Sequence, residues 1–175
     1  MKQITLLACL TVGALATVTM SQNMAGKTMT YGGVKVKVLG QKPTKFPMGK
    51  SKSDWKKTLT AAQYHILIED GTDRPFKSKY HDNHAKGVYY SVASGKPLFR
   101  SDDKFESGTG WPSFTKPISD SALIYVQDGS AGMQRIEVIE AATGTHLGHV
   151  FMDGPKPTGL RFCMNGEALV FRPAR

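Results

Sequence analysis

Cys163 stands two residues after Arg161 in the run Leu160-Arg-Phe-Cys-Met164, where apolar and polar residues alternate. Alternation is the strand period, so Leu160, Phe162 and Met164 share one face and Arg161 and Cys163 the other. The apolar face is core. On the other face, a guanidinium beside a thiol favours the thiolate, the nucleophilic form of cysteine. A lone cysteine is as often a small buried hydrophobe, and both readings stand at this point. Asn165 at the end of the run extends the polar face, although Asn before Gly166 is also ordinary turn chemistry.

A second group is His146-Leu-Gly-His-Val-Phe151. His149 and Phe151 share a strand face, and a bulge at Gly148 would bring His146 round to it. Imidazoles beside a thiol supply or accept protons near neutral pH. The competing readings are satisfied core histidines or part of a metal site, and two histidines without a third ligand make a poor zinc site. His81 and His84 repeat the spacing in a polar stretch and read as surface residues. Gly108-Thr-Gly-Trp-Pro112 lacks the strand and helix that a dinucleotide loop requires. Trp111, held between Gly and Pro, would either wall a small apolar pocket or lie in the core.

The elements that must hold these groups are short. Glycine is 18 of 175 residues, well above the usual share, so turns are frequent and long helices are disfavoured. Thr60 followed by Gln63 is a capping-box signature that opens a short helix through Tyr64, Ile66 and Leu67. Strand patterns follow at Gly87-Val-Tyr-Tyr90, Pro97-Leu-Phe99, Ile124-Tyr-Val126, Arg135 to Ile139 and His146 to Phe151, each bounded by Gly, Asp or Pro. Asn165-Gly166 predicts a tight hairpin joining the Cys163 strand to Glu167-Ala-Leu-Val-Phe171. The expectation is a mainly β domain behind one or two short helices.

Charge is divided unevenly. Residues 27–57 carry nine lysines and one aspartate, whereas residues 58–175 carry thirteen groups of each sign. The net charge of +9 therefore belongs to an arm, and nothing about the folded part suggests nucleic acid. Residues 26–53 read as a basic, loosely structured arm, with Val34, Val36 and Val38 alternating in a short strand that Pro43 and Pro47 break up. Its charge serves solubility, or attraction to an anionic membrane surface. Lys2 and the uncharged run Ile4–Met20 read as a signal peptide over 1–25, with cleavage after Ala16, or as an uncleaved anchor. Export to the periplasm or exterior follows. Removal of Cys9 then leaves Cys163 as the only thiol.

Several motifs now fall in one order: Gly71-Thr-Asp-Arg-Pro-Phe76, Phe105-Glu-Ser-Gly-Thr-Gly-Trp-Pro-Ser-Phe114, Gly132-Met133, His146 to Phe151, and Asp153 to Asn165. With them the chain from about Asp54 to Phe171, placed in a domain over 54–175, resembles a peptide-methionine (R)-S-oxide reductase. The resemblance implies two twisted antiparallel sheets with short N-terminal helices. It implies Cys163 as nucleophile and Trp111 as the wall that receives the substrate S-methyl group. His146, His149 and Asn165 match residues that orient the sulfoxide and help protonate its oxygen. Arg161 matches a polar neighbour of the nucleophile, and Phe151 an apolar one. Substrates would be oxidised proteins or peptides containing methionine sulfoxide, and recycling would need an external dithiol such as a thioredoxin-like protein, with no bound cofactor.

Two departures accompany the match. Many members hold structural zinc through two Cys-x-x-Cys pairs, where this chain has Ser91 and Ser94, Glu140 and Thr143. Many carry a resolving cysteine where this chain has Thr109. From the residues alone, a thiol hydrolase built on Cys163 and a histidine, or a non-catalytic module that binds oxidised methionine, stays open beside the reductase.

Overall fold

Ser51 and Thr60 each start a helix by local hydrogen bonding. In the computed structural model, which describes residues 23–174, Ser51 Oγ accepts from Asp54 N–H at the head of α1 (Lys52–Thr58). Lys56 and Lys57 lie at its negative end, where cations are favoured. Thr60 and Gln63 form the expected reciprocal box at α2 (Ala61–Ile68), which buries Ile66 and Leu67. Of the expected signal segment 1–25, residues 1–22, with Cys9 and Ala16, lie outside the described residues, while Met24 and Ala25 N–H donate to Gln127 Oε1. Among the described residues no helix is long and apolar enough to cross a membrane.

Among the described residues there are eleven strands. They are β1 (Thr28–Tyr31), β2 (Val34–Leu39), β3 (Gly87–Ser91), β4 (Pro97–Arg100), β5 (Lys104–Phe105) and β6 (Ser113–Phe114), then β7 (Leu123–Asp128), β8 (Arg135–Glu140), β9 (His146–Phe151), β10 (Arg161–Met164) and β11 (Leu169–Pro173). Eight form one sheet in the order β1-β2-β7-β8-β9-β10-β6-β5, and β11-β3-β4 form the second. All neighbours are antiparallel except β2 and β7. An aromatic cluster joins the sheets. Phe99 of the small sheet stacks on Phe114 of the large one at 4.3 Å, and Tyr89 meets Phe114 edge-on at 5.0 Å. Such pairs add about 0.5–1.5 kcal/mol each beyond the area they bury.

Two expectations are corrected. The segment 26–53 is not loosely structured throughout, because its alternation is a real strand. Val34, Val36 and Val38 of β2 are buried, and β2 joins the large sheet beside β7. Burial stabilises by about 1.5–3 kcal/mol per valine, enough to hold a hairpin whose outward residues are lysines. Gly32 and Gly33 close that hairpin with the positive φ angles a two-residue turn needs.

The second correction concerns Asn165-Gly166, which makes no hairpin. β10 pairs with β9 and β6, and β11 pairs with β3 in the other sheet. Asn165 is extended, and Gly166–Ala168 form a 3-10 turn whose first N–H groups, of Gly166 and Glu167, both donate to Asp73 Oδ2. A side chain at 166 would collide with Ser78, so the glycine serves close approach rather than a reversed turn. The chain thus steps from one sheet to the other immediately after Cys163.

Candidate active site

Register places the chemistry in one row. Glu137 on β8 lies opposite His149 on β9, His149 opposite Cys163 on β10, and Cys163 opposite Ser113 on β6. Directly opposed residues have Cβ atoms about 4.5–5.5 Å apart, so an imidazole and the thiol are cross-strand neighbours on one face. The register shift between β8 and β9 skips Leu147, pairing Val138 with Gly148 and Ile139 with His146. That is the bulge expected at Gly148, where a side chain would meet the Cys163 carbonyl. It rotates His146 onto the same face, edge-on to His149 with ring centroids 5.4 Å apart.

Each imidazole is held by its own carboxylate. His149 Nε2 lies 2.9 Å from Asp128 Oδ2, and His146 Nδ1 lies 2.8 Å from Glu137 Oε1. A carboxylate takes the N–H, so in the neutral His149 ring the opposite nitrogen, Nδ1, carries the lone pair. Burial lowers the His149 pKa and outweighs the opposing hydrogen bond that His149 donates to Asp128, with the Arg135 and His146 charges adding to the fall. Burial also works to raise the Asp128 pKa. Hydrogen bonds from Ser130 and His149, with the Arg135 charge, overcome it and hold the carboxyl far below its usual range. The pair rests as neutral imidazole and ionised carboxylate.

The thiol is also neutral at rest. Burial pushes the Cys163 pKa up, and the neighbouring Arg161 charge and the Thr109 and Arg161 hydrogen bonds only partly counter it. Arg161 is itself fixed by two 2.9 Å bonds to Asp153 and lies 4.3 Å over the Phe151 ring. Alkylation of Cys163 by iodoacetamide is therefore expected to be slow at about pH 7 and to rise only in the alkaline range, as a thiol that must ionise in a desolvated site requires. Arg161→Met removes the opposing cation and should move that rise to still higher pH. Full reactivity on the acid side of neutrality would contradict this electrostatic picture.

A cleft of about 130 Å³ opens over this row, lined by Thr72, Trp111, Arg135, Gly148, His149, Phe151, Cys163 and Asn165. Asp73 builds two of its walls. Its carbonyl accepts the Trp111 indole N–H at 3.0 Å, and its N–H donates to Asn165 Oδ1 at 2.9 Å. One Asn165 amide N–H donates to the Leu147 carbonyl, which leaves a second for the cleft. Of the residues expected to form a site, Cys163, His149, Asn165, Trp111 and Phe151 line the cleft. His146 stands behind His149, and Arg161 flanks Phe151. His84 is exposed, as expected, whereas His81 is partly buried and bonded to the Ser78 carbonyl.

Ser91, Ser94, Glu140 and Thr143 do converge elsewhere, but as a hydrogen-bond cluster. The buried Glu140 carboxyl accepts from Ser91 at 2.8 Å, from Thr143 at 2.6 Å and from Ser94. One carboxyl whose oxygens are already engaged, with three hydroxyls and no thiolate or imidazole, does not fit a structural zinc ion. Thr109 Oγ1 lies 4.0 Å from Cys163 Sγ.

Sequence reasoning did not find Asp128, Glu137, Arg135, Thr72 or Asp73. Arg135 and Glu137 alternate on one strand face, a signal that becomes legible only once β8 is known to lie beside β9. Asp73 was inside a quoted motif, but its role depends on a contact across 92 residues.

The sequence is similar to proteins of one known family. The SelR domain family matches residues 59–173. A peptide methionine sulfoxide reductase MsrB of Agrobacterium fabrum is 50% identical over 126 residues, which are 72% of this chain and 93% of that protein. One from Methanosarcina mazei is 52% identical over 122 residues, 70% of this chain and 87% of its own. A third, from Leptospira interrogans, is 48% identical over 127 residues, 73% and 97% of the two chains.

Proposed function

Because the chain belongs to the SelR family of peptide methionine sulfoxide reductases B, and is a peptide-methionine (R)-S-oxide reductase on that ground, we propose that Cys163 reduces the R epimer of methionine sulfoxide in proteins and peptides. The observation that carries the reading is the thiol opposite His149 in a cleft walled by Trp111 and Phe151. At about 130 Å³ the cleft is smaller than the ~300–1,000 Å³ of sites for whole small molecules and suits the end of one side chain.

The chemistry follows from the resting charges. Sulfoxide oxygen leaves poorly, and a thiol at the sulfur must lose a proton while that oxygen gains one. His149, neutral with its lone pair on Nδ1, accepts the Cys163 proton and passes it to the oxygen. Asp128 stabilises the imidazolium formed in between, and the second Asn165 N–H holds the oxygen. The Trp111 face takes the S-methyl group, which leaves one epimer with its sulfur towards Sγ. Oxygen passes to sulfur, giving methionine and Cys163 sulfenic acid. Two external thiols then return Cys163 to the thiol, with release of water and a disulfide. A thioredoxin-like dithiol is the reductant class this step calls for.

The reading includes no bound cofactor or zinc. The Glu140 hydroxyl cluster supports this, since it fills the matching positions with hydrogen bonds. Purified, untagged protein should contain substoichiometric zinc. Glu140→Ala leaves three hydroxyls without their acceptor and is expected to destabilise by about 2–4 kcal/mol. For a domain of this size that lowers the unfolding midpoint by roughly 5–15 °C, readable by thermal denaturation. Stoichiometric zinc, or an unchanged midpoint, would count against the cluster as the substitute.

Export is part of the same reading, supported by Lys2 and the uncharged run Ile4–Met20. So is contact of the basic segment with an anionic membrane surface, supported by the outward Lys35 and Lys37 of β2. The reductase reading is tested by dithiol-dependent conversion of a methionine sulfoxide peptide to the methionine peptide. A peptide left unchanged overturns it.

A further inference from the structure

Lys42 lies outside the family domain, which begins at residue 59. Its ammonium nevertheless lies 3.7 Å from Oε1 of Glu137, the carboxylate that holds His146, and 3.5 Å from Oδ1 of the exposed Asp70. Glu137 Oε1 is the same atom that accepts from His146. Ligand atoms of Asp70, Glu137 and His146 all lie within 4.8 Å of one another, the arrangement of a small cation site. The cation there is the lysine.

Its position is fixed from both sides along the chain. Before it, β2 pairs with β7 through Val38 and Leu39. After it, Met48 N–H donates to the Ala142 carbonyl at 2.8 Å, and the Phe46 ring fills the space a side chain at Gly144 would take. A lysine tethered this way loses less freedom in holding a carboxylate than one on a free arm. Glu137 is largely buried, so an ion pair there is less screened than one at the open surface. The Glu137 pKa agrees. Burial works to raise it, and the His146 hydrogen bond and the Lys42 charge bring it below its ordinary value.

We infer that Lys42 is a positioning residue for the reductase site, its ammonium holding the Glu137 carboxylate in the orientation that fixes the His146 ring. The segment before the family domain thereby sets the geometry of an active-site imidazole. This rests on the reading of His146 as part of the reductase site. Lys42 itself touches neither the cleft nor Cys163.

The test compares full-length wild type, Lys42→Met, Lys42→Arg and a control, Lys45→Met, in single-turnover reduction of a methionine sulfoxide peptide. Lys42→Met should lower the rate constant at saturating peptide by about three- to tenfold with KM unchanged, as loss of one coupled contact predicts. Lys42→Arg and Lys45→Met should stay within about twofold of wild type, because the cation at Glu137 is kept in both. The His146 Nδ1–H proton resonance should move in Lys42→Met and return in Lys42→Arg. An unchanged rate and an unmoved resonance overturn the proposal. So does a lower rate with the resonance in place, which would mark Lys42 as a general stabiliser. If wild type releases no methionine, the reductase reading fails, and the resonance still decides whether Lys42 positions His146.

Discussion

Cys163→Ser is expected to lower methionine release by roughly 1,000-fold or more, the usual cost of removing a nucleophile that its partners cannot replace. The fold should survive. Serine is close to cysteine in size, and Thr109 Oγ1, next to the sulfur, can bond the new hydroxyl. A hydroxyl beside neutral His149 is still far too weak a nucleophile for sulfur, since no oxyanion forms near neutral pH at that site. Circular dichroism and the unfolding midpoint should match wild type while product falls to background. Turnover within tenfold of wild type would remove Cys163 from the role of nucleophile, whatever the family membership.

The second large effect concerns recycling. Cys163 is the free cysteine among the described residues, and the adjacent position is Thr109. Mature protein from which Cys9 has been removed, given excess sulfoxide peptide and no reductant, should release about one methionine per chain and stop, because each nucleophile is consumed once. Its mass should rise by one oxygen. Thr109→Cys should change the trapped species to an intramolecular disulfide. The present 4.0 Å between Thr109 Oγ1 and Cys163 Sγ must close to about 2.05 Å, a shift that a loop between Gly108 and Gly110 can supply. Several turnovers without reductant, with free Cys163 thiol recovered, would contradict a single-thiol cycle. Failure of the Thr109→Cys protein to form any disulfide would place residue 109 out of reach of Cys163.

Much of the site was legible because its residues lie on short strands. Alternation alone put Arg161 and Cys163 on one face and Leu160, Phe162 and Met164 in the core. Gly148 marked the bulge that brings His146 beside His149. The Thr60 and Gln63 box needed only local chemistry. What stayed hidden depends on contacts between distant segments. Asn165-Gly166 carries a strong hairpin signal, but Asp73 captures the following N–H groups and turns the chain towards the second sheet. Asp128 and Glu137 acquire meaning only from the register of β7, β8 and β9. The valines of β2 showed a strand, yet the lysines between them and the prolines after them masked a partner in the sheet. Charge composition described that hairpin's outer face and said nothing of its inner one.

The central claim is that Cys163 reduces one epimer of methionine sulfoxide in a cleft where Trp111 takes the methyl group. Its most direct test gives the protein a racemic methionine sulfoxide peptide with dithiothreitol and follows each epimer by chromatography. The account predicts that the R epimer is converted to the methionine peptide until it is exhausted, that the S epimer is left intact, and that Cys163→Ser leaves both untouched. Equal loss of the two epimers, loss of the S epimer alone, or reduction that persists in Cys163→Ser would contradict it.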